Sequence, residues 1–366
     1  MRVVFWHNII SPHQSSFLRA LAATDSEVVV VTQEKISKYR EQQGWRVPEM
    51  PGVQIIIAPS QQEIGSIINQ DIAESIHVIA GARGHELGHI ATHEAIRSKA
   101  RIGILSESPD ATRGITGPLR LAKYSIERLT VGKNFDFIMA MGQLGVRWFT
   151  RCGYPVARVF PFGYFTESQL IPLNSIVSDH FRIIFVGRCI PCKGIDTLLN
   201  ALKLLNHENW ELVFIGDGPL RLDSERMATS LGIGEKVKFL GQLEWNVALG
   251  EIAKADLLVL PSRYDGWGAV VNEALQCGVP VVCSDQCGAS DLLHEKWRGD
   301  IFTAGSVEEL AHALQKRIAD GKPTMELRKK LVEWATCIDG MDAAEYFNAV
   351  LKHIYEGKER PSIPWG

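Results

Sequence analysis

The sequence has no apolar run approaching the ~18 residues that a membrane-spanning helix needs. It has no low-complexity tract and no short-period repeat, which excludes solenoid and fibrous architectures. It lacks a dominant charge: 39 Lys and Arg against 42 Asp and Glu leave a formal net charge of −3, too balanced for a dedicated nucleic-acid partner. Cysteine is scarce, and the seven present are an odd number that no fully paired framework uses. Free thiols in a reducing compartment are therefore expected. No GxxxxGK[ST] loop occurs, and Gly216-x-Gly218 lacks the third glycine of a dinucleotide fingerprint, which disfavours Walker NTPases and dehydrogenases. The first residues, Met1 to His7, read directly as a strand with no basic leader ahead of an apolar stretch, so a cytoplasmic protein is expected.

What is present is a globular α/β pattern. The 366 residues are 46% hydrophobic and 22% charged, enough apolar material for large cores, and the length suggests two domains at ~150 residues each. Short runs rich in Val and Ile at 3–7, 28–32, 55–58, 77–80, 102–106 and 137–141 read as strands buried on both faces. Helical stretches at 14–23 and 86–99 lie between them. A second series follows, with strands at 182–186, 211–215, 237–240, 257–261 and 279–284 and helices at 195–205, 220–231 and 270–277. The alternation implies two Rossmann-like parallel-sheet domains, 1–165 and 180–340, meeting at a cleft. The weakly periodic segment 163–179 is the expected linker. Residues 341–366 form a helix and tail, expected to pack back on the first domain.

The densest chemistry lies in the second series. A strand ends at Pro261, and Ser262-Arg263-Tyr264-Asp265-Gly266-Trp267-Gly268-Ala269-Val270 turns into a helix expected to start near Gly268. Free N–H groups at a helix start suit an anionic phosphate. Asp265 and Glu273 have seven residues between them, so one carboxylate can meet a sugar hydroxyl near a reacting centre while the other holds a second set of hydroxyls, such as those of a ribose. On spacing alone, a solvated loop acid and a helix-surface charge fit equally well. Arg188 and Lys193 stand five positions apart in a strand–turn–helix start, a fork and a point charge of the kind a diphosphate needs. Gly216-Asp217-Gly218-Pro219 and Gly241-Gln242-Leu243 end two further strands at the same sheet edge.

From Phe181 to about Leu293 this order of motifs resembles the retaining glycosyltransferases of family 4, with the GT-B fold of two Rossmann-like domains facing a cleft. The resemblance rests on Gly-Arg-x4-Lys-Gly, Gly-Asp-Gly-Pro, the strand over 255–262, and the acid-x7-Glu motif continued by Ala-Leu-x-x-Gly-Val-Pro-Val-Val. It implies that Arg188 and Lys193 bind the donor diphosphate and Glu273 the ribose. Asp265 contacts the transferred sugar. Gly216, Gly266, Gly268, Ala269 and Val270 line the phosphate and sugar, and Leu243 lies by the nucleobase. The family's first acid is usually Glu, so Asp265 is one methylene short. The implied partners are a UDP- or GDP-sugar donor and a glycan or lipid-linked acceptor, with no divalent metal required.

In the first series the match is architectural. The family often carries a catalytic histidine after the strand that here ends in Glu107, which is expected to face the cleft or to serve as a plain cap. The first loop lacks the family's Gly-Gly, and Ser11 and His13 are its candidates for approaching phosphate or acceptor. Two competing readings are a non-catalytic nucleotide-sugar binder and a zinc peptidase. For the latter, His85-Glu86-Leu87-Gly88-His89 matches HExxH and, on a helix, would put both imidazoles on one face. Cys189, Cys192, Cys283 and Cys287 have zinc-compatible spacing too, although free thiols are the expectation there. Finally, Arg113 to Arg158 holds eight Lys or Arg against two acids, with Leu119, Leu121, Ile126 and Leu129 interspersed. A solvated helix or a peripheral contact with anionic lipid, at the inner face of the membrane, both fit that stretch.

Overall fold

The computed structural model describes residues 1–366 except 43–45, 82–84, 111–115, 168–178 and 207–208, together with the side chains at 39 and 42. The chain divides into two compact units, Met1–Glu167 with Cys337–Gly366, and Ser168–Thr336. The linker expected over 163–179 lies mostly outside the described residues, and 163–167 belong to the first unit.

The first unit holds strands β1 (Arg2–His7), β2 (Glu27–Thr32), β3 (Val53–Ile57), β4 (Ser75–Ala80), β5 (Arg101–Ser106), β6 (Phe137–Met141) and β7 (Val159–Phe162). They form one sheet in the order β3-β2-β1-β4-β5-β6-β7, with every pair parallel. Helices α1 (Pro12–Ala22), α2 (Lys38–Gln42), α3 (Gln61–Asn69), α4 (Glu86–Arg97), α5 (Thr116–Thr130) and α6 (Gly142–Arg151) connect them. β1 is buried along its whole length, because helices cover both faces of a central parallel strand. The expectation of two-faced burial fails at β3, where Ile55 and Ile57 are 37% and 39% exposed. β3 is an edge strand, so its outer side has no neighbour to cover it. β7 has no counterpart in the sequence reading. It is four residues long and carries Pro161, which an edge strand tolerates.

The second unit holds β8 (Phe181–Val186), β9 (Trp210–Ile215), β10 (Val237–Gly241), β11 (Leu257–Leu260), β12 (Val281–Ser284) and β13 (Gly299–Phe302), in the order β10-β9-β8-β11-β12-β13 and again all parallel. Its helices are α7 (Ile195–Lys203), α8 (Arg221–Ser230), α9 (Trp245–Ala253), α10 (Val270–Gln276), α11 (Val307–Asp320) and α12 (Met325–Trp334). Phe185 on β8 and Phe214 on the neighbouring β9 stack at 4.5 Å, inside a core with Leu198, Leu202 and Leu257. The last helix, α13 (Gly340–Glu356), returns to the first unit, where Phe347 packs edge-on against Phe17 and Phe137 and tilted against Phe5. Gly340 permits that approach: a Cβ there would strike the Ser16 carbonyl on α1.

In each sheet the chain runs outward in one direction and then restarts on the other side of the first strand. The reversal falls between β1 and β4 in the first unit and between β8 and β11 in the second. Loops leaving neighbouring strands at such a reversal diverge and leave a crevice at the carboxyl edge.

Candidate functional site

In the second unit, the crevice between β8 and β11 is flanked by the loop 187–194 and the loop 261–269. The two are tied together by their charged residues. Lys193 Nζ donates to Asp265 Oδ2 at 2.5 Å, with 20% and 17% of the two side chains exposed. Burial alone would lower the Lys193 pKa, but the adjacent Asp265 carboxylate outweighs it and holds the ammonium charged above its ordinary range. Arg263 adds a fork to Asp196 on α7 at 2.8 and 2.5 Å and donates to the Pro191 carbonyl at 2.9 Å. Gly194, at φ +64°, lets the backbone close this gap, because a Cβ would run into the Pro261 carbonyl oxygen. Arg188 is half-buried in the same loop.

The Asp265 backbone is held as firmly as its side chain. Its N–H donates to the Gln286 carbonyl at 2.9 Å, and its own carbonyl accepts from Gly288 N–H at 3.1 Å. Trp267 Nε1 donates to Asn272 Oδ1 at 2.8 Å and locks the turn that follows. α10 begins at Val270, where the helix expected over 270–277 starts, since Gly268 stands at φ +95° and Ala269 is the cap. Gly266 and Gly268 are buried, whereas Ala269 and Val270 are half-buried. On the next strands, Gly216 backs onto the Gly187 carbonyl so closely that a side chain has no room, and half-buried Leu243 lies between β10 and α9.

Glu273 is not a helix-surface charge. It is 8% exposed, and its partner is an indole: Trp245 Nε1 donates to Oε1 at 2.9 Å. Burial pushes its pKa up to about 7, outweighing the hydrogen bond that favours the carboxylate. Trp245 was missed from the sequence, although it lies two residues beyond Leu243 at the first position of α9. Together these groups offer a cation and backbone donors to an anion, and a buried acceptor to hydroxyl groups.

In the first unit, three residues converge that the sequence left separate. Glu107, just past β5, accepts from Tyr164 Oη at 2.6 Å, and the Tyr164 ring stacks on His13 at 5.5 Å. Glu107 is exposed, while His13 and Ser11 are half-buried at the start of α1. Tyr164 was hidden in the segment read as linker. The HExxH expectation fails. His85 is not on the helix but caps α4 in extended backbone, with Nδ1 accepting from Gly88 N–H at 3.1 Å. His89 Nε2 instead lies 3.3 Å from His93 Nε2. Among the described residues, no group of three or more His, Cys, Asp or Glu side chains is placed to hold a metal ion, the four spaced cysteines included. All seven cysteines are free, and burial pushes the Cys189 thiol up to about 11.

Residues 170–336 match the family model for glycosyl transferases group 1. The alpha-D-kanosaminyltransferase of Streptomyces kanamyceticus is 28% identical over 245 residues, covering 63% of this chain and 61% of that protein. Among solved structures, the apo form of a lipopolysaccharide outer core galactosyltransferase superposes with a TM-score of 0.73 at 15% identity, over 96% of this chain and 99% of that one. An Anabaena protein solved in complex with UDP also gives 0.73 at 15% identity, over 96% and 100%. These likenesses carry the fold. The chain spans about two fifths to three fifths of the length of the curated relatives it matches. The match to the glycosyl transferases group 1 model thus lies wholly in residues 170–336, and across both units the likeness to the solved structures is one of fold, two parallel Rossmann-like sheets of the GT-B type.

Proposed function

We propose that the protein is a retaining glycosyltransferase. It moves a sugar from a UDP- or GDP-sugar to a hydroxyl of a glycan or lipid-linked acceptor, in bacterial surface polysaccharide or lipopolysaccharide synthesis, at the cytoplasmic face of the membrane. The observation that carries the reading is the Lys193–Asp265 pair across the crevice of the second sheet, with Glu273 buried on the helix that follows. An ammonium has three N–H donors, and Asp265 takes one, which leaves two for diphosphate oxygens. Arg188 adds the fork. The negative charge that grows on the departing diphosphate is met by these cations and by the amides near Gly268, Ala269 and Val270, without a divalent metal. Asp265 orients the sugar, Glu273 accepts from the ribose hydroxyls, and Gly216, Gly266 and Leu243 shape the rest of the donor pocket. The acceptor hydroxyl attacks on the face the diphosphate leaves, and a diphosphate oxygen takes its proton. Glu107, positioned by Tyr164, and the loop residues Ser11 and His13 handle the acceptor. The neighbour solved with UDP supports the donor class, and the galactosyltransferase neighbour supports the pathway class.

The test is a thermal-shift panel of UDP-, GDP- and ADP-sugars, followed by turnover with the sugar that stabilises, since a ligand bound only by the folded state raises the melting temperature. Lys193→Met and Glu273→Ala are expected to lose the shift and at least about a hundredfold in turnover while remaining folded, and a chelator is expected to leave turnover unchanged. Unchanged turnover in either variant overturns the site assignment.

A further inference from the structure

We propose that Trp245 is a positioning residue for the donor: its indole N–H fixes the Glu273 carboxyl so that one oxygen, Oε2, is presented to the hydroxyl pair of the nucleotide. Trp245 opens α9, and Glu273 lies in the first turn of α10, two helices that pack on each other. An indole near a protein surface ordinarily buries its ring and leaves its N–H for water. Trp245 does the reverse. It is 42% exposed, yet its Nε1 is turned to a buried carboxyl and donates to Glu273 Oε1 at 2.9 Å. Apolar burial supplies little of what holds this side chain, and the hydrogen bond sets its direction. On the other side of that bond, Glu273 Oε2 accepts from no group among the described residues and is still reached by water. One oxygen is occupied and the other is open.

A glutamate side chain has three rotatable bonds, and ordering them opposes binding when it happens only on binding. Here the carboxyl is ordered on folding. The indole N–H also favours the charged form against burial, and a carboxylate accepts from two hydroxyls at once. Burial and this one bond set the Glu273 titration. The ionisable groups on the elements packed against it are engaged elsewhere or neutral. On α12, Arg328 is turned to the Ala253 and Ala255 carbonyls and to Asp256. On α9, Glu251 pairs with Arg182 and Lys254. Cys277, one turn along α10, has its thiol pushed up to about 12 by burial, with Glu273 adding to the effect. The inference deepens the donor reading above and rests on it for the identity of the ligand.

The test is calorimetric titration of wild type and Trp245→Phe with UDP, with GDP and with the 2′,3′-dideoxy forms of both. Phe keeps a ring at an exposed position and removes the N–H, so the variant is expected to fold with little change in melting temperature. It is expected to bind the wild type's preferred nucleotide about tenfold more weakly, the loss that follows from misplacing one charged acceptor. The dideoxy form is expected to bind both proteins equally, because it has no hydroxyls for Glu273 to receive. In the free protein, the Glu273 carboxyl followed by carbon NMR is expected to titrate at higher pH in Trp245→Phe than in wild type, since burial then acts unopposed. A Trp245 that only fills space would move neither the hydroxyl-dependent loss nor that midpoint. Unchanged nucleotide affinity, an equal loss with the dideoxy form, or an unmoved midpoint overturns the inference and leaves the donor reading standing. A wild type that binds neither UDP nor GDP overturns the donor reading, and the inference falls with it.

Discussion

Glu273 is the residue whose surroundings depart furthest from what its position in the sequence suggests. A carboxyl with one hydrogen-bond donor and little water near it holds its proton to about pH 7, against 4.5 in an unfolded chain. The folded-state value is the higher one, so its contribution to stability is complete below about pH 4.5 and is lost as pH rises through about 7. The span corresponds to on the order of 3 kcal/mol. Glu273→Gln keeps the shape and removes the titration. In thermal unfolding, the melting temperature of the variant relative to wild type is expected to rise from about pH 5 to about pH 8. A difference that stays constant across that range would show that the carboxyl titrates normally in the folded chain. Ribose hydroxyls donate to the ionised form, so donor affinity is expected to increase over the same interval in wild type and to stay flat in the variant.

At the scale of elements, the site is made by two loops that the sheet brings side by side. Gly194 and Gly305 separate the two ways a glycine can be needed. Both have positive φ, +64° and +83°. A Cβ at Gly305 meets nothing within 4 Å, whereas one at Gly194 meets the Pro261 carbonyl. Gly305→Ala therefore carries only the left-handed backbone cost of about 1–2 kcal/mol. Gly194→Ala carries that cost plus separation of the two loops, and is expected to be destabilising by at least about 2 kcal/mol more in denaturant titrations, with loss of the donor-induced thermal shift. Equal losses would mean the loops can part without consequence. The strand–turn–helix units on either side were legible because parallel strands buried on both faces leave unbroken apolar runs, as in β2 and β12. β7 and β13 were not, because Pro161 interrupts the apolar run of one and Asp300 that of the other. Lys193 and Asp265 were legible as residues but not as a pair. Their contact depends on β11 lying beside β8, a fact of strand order that separations of 72 residues do not encode. The Trp245–Glu273 and Tyr164–Glu107 bonds were hidden for the same reason.

At the scale of the whole molecule, the chain leaves the first unit near residue 167, completes the second, and comes back at 337. The unit that carries Lys193, Asp265 and Glu273 is therefore an insertion with both ends anchored in the other, and each unit has a core of its own. Phe347 on the returning helix is fully buried among Phe5, Phe17 and Phe137 of the first unit. Phe347→Ala removes most of a buried ring and should destabilise by about 3–5 kcal/mol. If the return helix is structurally part of the first unit alone, that loss falls on the first unit. Calorimetry should then resolve an early transition that a bound donor nucleotide does not move and a later one that it raises, because a ligand stabilises only the unit that binds it. A single transition, shifted down as a whole and still raised by the nucleotide, would instead mean that the two units unfold as one cooperative body and that the return helix serves both.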